Sequence, residues 1–340
     1  MQEKTTETIR FRTIADELPE FCENYLRNGM SENTITTRIA YARDIKAFLE
    51  FAILNYPYFC EKELKDLEIS DLGKITSDDI NTYLSILKDK DVKENARARK
   101  KSAISGLYKY IVNTQHKLEY NPVAGASKVK LPEKDFVIYL NRDEQEILLN
   151  TVVYGTGLTK HQQAFHDRYR KRDLAIIFLF LDTGLRVSEL SSINIQDVDF
   201  KDCSVIVQRK GRNRMQMIYF SDESHEYLSD YLVERKNLSL ATKPADPLFV
   251  TLKGERLSVR EIQEMVKKYV TAALPEKASQ ISPHKLRSSF AMEFYMNAPV
   301  EVGGKDILTL QRRMGHKSIV ATNIYAKAAD AEVKNSRNWR

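Results

Sequence analysis

Chemistry-bearing side chains in this chain stand at separated points of its second half. Arg186 follows the break Thr183-Gly184-Leu185, directly after the most hydrophobic run, and Glu189 lies three residues on. His284 and Arg287 sit one helical turn apart behind Pro283, which suits the first turn of a helix. Lys210-Gly211 stands between two β-rich runs, His316 follows Gly315, and Tyr325 comes last. Arginines and imidazoles in this number suit the handling of an anion: guanidinium donors are planar and stay charged when desolvated, and imidazole titrates near neutrality. Each also has a structural reading. Arg186 and Glu189 can form a buried pair, His-x-x-Arg is an ordinary helical neighbour pair, and a tyrosine on a helix is usually core.

The ordered set narrows these choices. TGLRVSEL (183–190), the Lys210-Gly211 tip, HKLR (284–287), MGH (314–316) and Tyr325 occur in an order and spacing that resemble the tyrosine recombinase (phage integrase) superfamily. The resemblance covers about residues 10–328 and is strongest to Xer-type single recombinases and related mobile-element integrases, which are similar in carrying extra residues before the first arginine motif, as at 154–172 here. It implies two domains: an N-terminal all-α, SAM-like core-binding bundle over 10–118, and a C-terminal α+β catalytic domain with a small antiparallel sheet over 137–328. A basic linker over 119–136 joins them, and a tail occupies 329–340.

The resemblance also implies roles. Tyr325 would attack a DNA phosphorus to give a 3′-phosphotyrosyl link and a free 5′-hydroxyl, conserving the energy of the broken bond without ATP. Arg186 and Arg287 would clamp the non-bridging oxygens; His284 and His316 would hydrogen-bond the phosphate and move protons; Lys210 would protonate the leaving oxygen; Glu189 would orient its neighbours. No metal or other cofactor is expected. Two departures stand out: Ser288 replaces the histidine that follows the second arginine in many relatives, and Met314 replaces the common leucine, a volume-conserving change. The expected partners are double-stranded DNA bearing a specific site, three further copies of the chain in a homotetramer on two sites, and an accessory protein. The alternatives carried are a type IB topoisomerase-like enzyme without partner exchange and a non-catalytic DNA-binding protein of the same fold.

The elements that must position these groups follow from periodicity. Helices are predicted over residues 9–28, from Ser31 onward through 52, from Thr76 or Ser77 through 87, and over 94–115, with 55–75 irregular. Helical spacing resumes at 141–153, whereas the polar stretch 154–172 reads as a solvated basic segment; its His161 and His166 have no third ligand nearby for a metal. A buried helix over 173–181 precedes the hairpin 204–220, whose tip is basic, and helices follow over 224–236, 258–273, 283–295, 305–314 and 318–329.

Composition sets the frame. With 340 residues, 42% hydrophobic and 29% charged, the chain reads as a soluble globular protein of about two domains. The longest apolar run, 174–181, is far short of the ~20 residues of a membrane span, and residues 1–12 lack a signal-peptide core, so a cytoplasmic location is expected. Three distant cysteines without C-x-x-C spacing argue against disulfide frameworks. The net charge of +6 belongs wholly to residues 119–340, which hold 34 Lys+Arg and 28 Asp+Glu. Arg97, Arg99, Lys100 and Lys101, the linker lysines Lys128 and Lys130, and the hairpin residues Arg209, Arg212 and Arg214 are the candidate DNA contacts.

Overall fold

The computed structural model describes residues 2–59, 62–131, 136–209, 215–237, 243 and 245–337. The chain divides into two compact units, Met1–Glu133 and Lys134–Arg340.

The first unit is helical: α1 (Gln2–Ala15), α2 (Glu20–Asn24), α3 (Ile35–Asn55), α4 (Ile69–Leu72), α5 (Ser77–Asp89), α6 (Glu94–Asn113) and α7 (Pro122–Gly125). The single helix predicted over 9–28 is broken. Pro19 caps the start of α2, which runs on into a π-turn at Tyr25–Gly29, and the break lets both Leu18 and Phe21 bury. Thr34, not Ser31, opens α3, its hydroxyl accepting from the Thr37 N–H. Phe48, Tyr83, Ile104 and Tyr108 lie at the core, and burying each such side chain contributes roughly 1.5–3 kcal/mol. Tyr108 also donates its hydroxyl to the Leu72 carbonyl at 2.9 Å.

The predicted linker does not begin at 119. Pro122 is buried, Val123 and Ala126 belong to the first unit's core, and the Lys101 ammonium donates to the Ala126 and Ser127 carbonyls, each at 2.9 Å. Periodicity vanishes there because α7 is one turn long, too short to show a repeat.

The second unit contains α8 (Arg142–Tyr154), α9 (Lys160–Thr183), α10 (Val187–Ser192), β1 (Val198–Asp199), β2 (Ser204–Gln208), β3 (Met215–Tyr219), α11 (Asp222–Asn237), α12 (Val259–Ala273), α13 (Pro283–Asn297), α14 (Ile307–Met314) and α15 (Val320–Arg337). Most of the stretch read as a solvated basic segment, residues 160–172, is instead the first half of α9, opened by a reciprocal Thr159–Gln162 cap. His166 is buried there, its Nε2 2.8 Å from the Val152 carbonyl. Asp173 is likewise no helix start: it accepts from Arg172, Lys268 and the Tyr269 hydroxyl, a buried network that ties α9 to α12.

The sheet is antiparallel in the order β1-β2-β3, with Val205 opposite Ile218 and Val207 opposite Gln216. The main core gathers α8, α9, α12 and the inner face of the sheet. A second cluster joins α13, α14 and α15 through Phe290, Phe294, Leu310, Met314, Tyr325 and Ala328. The predicted tail from 329 is not separate from the helix before it, since α15 continues to Arg337. Among the described residues no helix is long and apolar enough to cross a membrane.

Candidate active site

Two left-handed glycines aim the site. Gly184 ends α9 at φ +61°, and a Cβ there would meet the Phe290 ring at 2.3 Å, so the chain turns sharply and delivers Arg186 to the start of α10. Gly315 ends α14 at φ +59° and turns the chain into His316.

Glu189, itself buried, organises the first arginine. Its Oε1 accepts from Arg186 Nη1 at 2.7 Å and its Oε2 accepts the Arg186 main-chain N–H at 2.9 Å. That same Oε2 accepts from Arg209 Nη1 at 2.8 Å.

Three guanidiniums then converge on the last carbonyls of α14. Arg209 Nη2 donates to Arg313 at 2.7 Å, Arg287 Nη2 donates to Met314, and Arg186 Nη2 reaches Gly315 at 3.3 Å. The C-terminal end of a helix carries unsatisfied carbonyls and partial negative charge, so it holds such cations favourably. Arg287, on the second turn of α13, also donates to the Gly184 carbonyl and so links both glycine turns. Its burial, then the nearby Arg186, lower its pKa to about 9, which leaves it charged at neutral pH.

His316 is half-buried, with Nδ1 2.8 Å from the Thr322 hydroxyl. Burial first, then the fields of Arg287, Arg186, His284 and Arg209, push its pKa down to about 4, so the ring is neutral and holds one proton at physiological pH. His284 is exposed one turn before Arg287. An open groove of about 500 Å³ runs beside the cluster, lined by Arg209, Met215, Gln216, Met217, Gln311, Arg312, Gly315 and His316. Among the described residues no group of three His, Cys, Asp or Glu is placed to hold a metal ion.

Arg186, Glu189, Arg287 and His316 are thus brought together, and Tyr325 lies near enough for its phenol to influence Arg287. Its ring, however, is only 2% exposed and packs in the α13–α15 cluster rather than facing the groove. Lys210, Arg212 and Arg214 lie outside the described residues.

Several candidate DNA contacts are otherwise engaged. Arg209 is buried, because the alternation that turns Val205 and Val207 inward continues to it. Arg99 and Lys100 pair with the buried Asp44 at 3.0 and 3.1 Å, Arg97 pairs with Glu94, and Lys101 holds the chain at 126–127. Of these groups Arg99, Lys128 and Lys130 are exposed. Sequence reasoning missed Thr322, Gln216, the carbonyls of α14 and the inward face of Arg209; no motif announces a carbonyl, but the alternation of β2, carried on to 209, is the signal that could have turned Arg209 inward.

Comparison with known proteins shows the family and the fold. Residues 156–332 match the model of the phage integrase family. The chain is similar to tyrosine recombinase XerC of Caldanaerobacter subterraneus subsp. tengcongensis, 30% identical over 98% of this chain and 88% of that one. It is also similar to tyrosine recombinase XerC of Syntrophus aciditrophicus, 32% identical over 91% of this chain and 92% of that one. Among solved structures, the Tn1549 transposon integrase in complex with a circular intermediate DNA has the same fold at a TM-score of 0.63, with 19% identity over 93% of this chain and 99% of that one. XerH site-specific recombinase bound to palindromic difH substrate gives a TM-score of 0.62, with 20% identity over 86% of this chain and 75% of that one.

Proposed function

The chain belongs to the phage integrase family and is a tyrosine site-specific recombinase; on that premise we propose that it cuts and rejoins double-stranded DNA with Tyr325 as nucleophile, in the Xer manner. The observation that carries this reading is the convergence of Arg186, Arg287 and neutral His316, from three distant segments, around the end of α14.

In the proposed reaction Arg186 and Arg287 bind the non-bridging oxygens of the scissile phosphate, exchanging carbonyl partners for charge-assisted bonds that strengthen as negative charge accumulates. The Tyr325 oxygen attacks phosphorus while its proton passes toward His316. The bond from phosphorus to the 5′-oxygen breaks, and Lys210 supplies the proton that the departing oxygen takes. His284 hydrogen-bonds the phosphate from the exposed side. A 5′-hydroxyl from a partner strand then attacks the phosphotyrosine, and the reversed proton path restores the phenol. A first exchange leaves a Holliday junction and a second resolves it. Four copies on two sites supply the four tyrosines, and the work is done in the cytoplasm. Because the ring is buried, α15 must shift before the phenol reaches phosphorus.

The target site can be found and the reading tested together. The chain is incubated with a random-sequence duplex library, denatured, and the DNA that remains covalently attached is sequenced. A nicked duplex of the recovered sequence then serves as a suicide substrate. Wild type is expected to accumulate a covalent adduct and Tyr325→Phe none; an adduct in the Phe variant would move the nucleophile elsewhere. Arg186→Ala and Arg287→Ala are each expected to lose about 10²–10³-fold or more in adduct formation with most of the binding retained.

A further inference from the structure

We infer that Arg209 is a positioning residue for strand cleavage, acting through Glu189 and the last turn of α14, and is not a DNA contact. This rests on the cleavage reading above. Three bonds from one buried guanidinium join three elements: Nη1 to Glu189 Oε2 at 2.8 Å, Nε to Gln216 Oε1 at 2.9 Å, and Nη2 to the Arg313 carbonyl at 2.7 Å. Its side chain is 3% exposed, and each of its three nitrogens already donates to an acceptor within the protein. Gly315 makes room for it: a Cβ there would stand 2.8 Å from Arg209 Nε.

The physical task is to divide Glu189. An arginine beside a buried carboxylate tends to close a two-pronged, side-on pair that occupies both acceptor oxygens. With Arg209 on Oε2, the Arg186 side chain spends one nitrogen on Oε1, and its Nη2 makes only a 3.3 Å contact with Gly315, easily given up to a phosphate oxygen. Without Arg209, Oε2 keeps only the Arg186 main-chain N–H and draws the Arg186 side chain inward. The Arg313 carbonyl loses its partner at the same time, loosening the turn that sets His316.

The nicked duplex recovered by covalent capture is the probe. Arg209→Gln should slow single-turnover adduct formation by about 10–100-fold, and Arg209→Lys should recover part of that loss, while Kd for the duplex and its salt slope stay as in wild type. In a Glu189→Gln background the Arg209→Gln change should add less than about threefold, because the two act through one contact. A weaker Kd with a salt slope reduced by about one would make Arg209 a phosphate contact and overturn the inference. Equal rates in Arg209→Gln and wild type, or losses that multiply fully in the double variant, would overturn it as well. Should Arg209→Gln not fold, the comparison of Arg209→Lys with and without Glu189→Gln carries the same cycle. If wild type forms no adduct, the cleavage reading itself falls and takes this inference with it, an outcome distinct from all the others.

Discussion

At the scale of single residues the site is an exercise in keeping cations charged where water is scarce. Arg287 is 1% exposed and stays protonated because carbonyls at Gly184 and Met314 replace its hydration. His316, half-buried and facing the fields of Arg287, Arg186 and Arg209, goes the other way and is neutral down to about pH 4. Its sign is definite: between its unfolded pKa near 6.5 and about 4 the unfolded chain binds a proton that the folded chain refuses, so stability falls as pH drops through that window. The rate of adduct formation should therefore show no inflection from His316 between about pH 6 and about pH 8. An inflection near 6.5 that His316→Gln removes would contradict the neutral ring in the free enzyme.

At the scale of elements, α15 is the part whose position decides reactivity. It carries Tyr325, Ala328 and Ala329 into an apolar cluster, and beyond them Glu332 accepts a hydrogen bond from the Tyr139 hydroxyl. That bond joins the end of the helix to the segment entering the second unit. A single hydrogen bond to a charged acceptor is worth roughly 1.5–3 kcal/mol when buried and less here, where both groups are only partly covered. Tyr139→Phe should raise amide hydrogen exchange across residues 326–337 by about three- to tenfold, a difference of about 1 kcal/mol, while α13 exchanges as before. Unchanged exchange in α15 would show that the apolar cluster alone holds it.

At the scale of the whole molecule the question is which positive charges are free for a polyanion. Arg97, Lys100 and Lys101 serve the first unit's own structure, whereas Lys128 and Lys130 face solvent at its end. Affinity for the recovered duplex should fall steeply with salt, and replacing Lys128 and Lys130 together by alanine should reduce the slope of log Kd against log salt by about two. Lys101→Ala should instead lower the melting temperature of the protein, because its ammonium holds the backbone at 126–127. A slope unaltered in the Lys128, Lys130 double variant would remove these lysines from the interface.

Much of this was written in the sequence, for a reason that depends on range. Caps, turns and alternation are local, so Thr76, Asn141, Ser258, the Gly184 and Gly315 stops and the β2–β3 pairing could be read from neighbouring residues. The ordered spacing of Arg186, Glu189, Arg287, His316 and Tyr325 likewise marked the site and the family. Partners across the fold could not be read in this way. Whether Lys101 meets a phosphate or a carbonyl, whether His166 is wet or buried, and whether Tyr325 faces a groove or a core depend on which surfaces pack together. Those outcomes are settled by burial and long-range hydrogen bonding. A string of residues determines what each group is able to do, and the packed chain determines which of those options remain open to it.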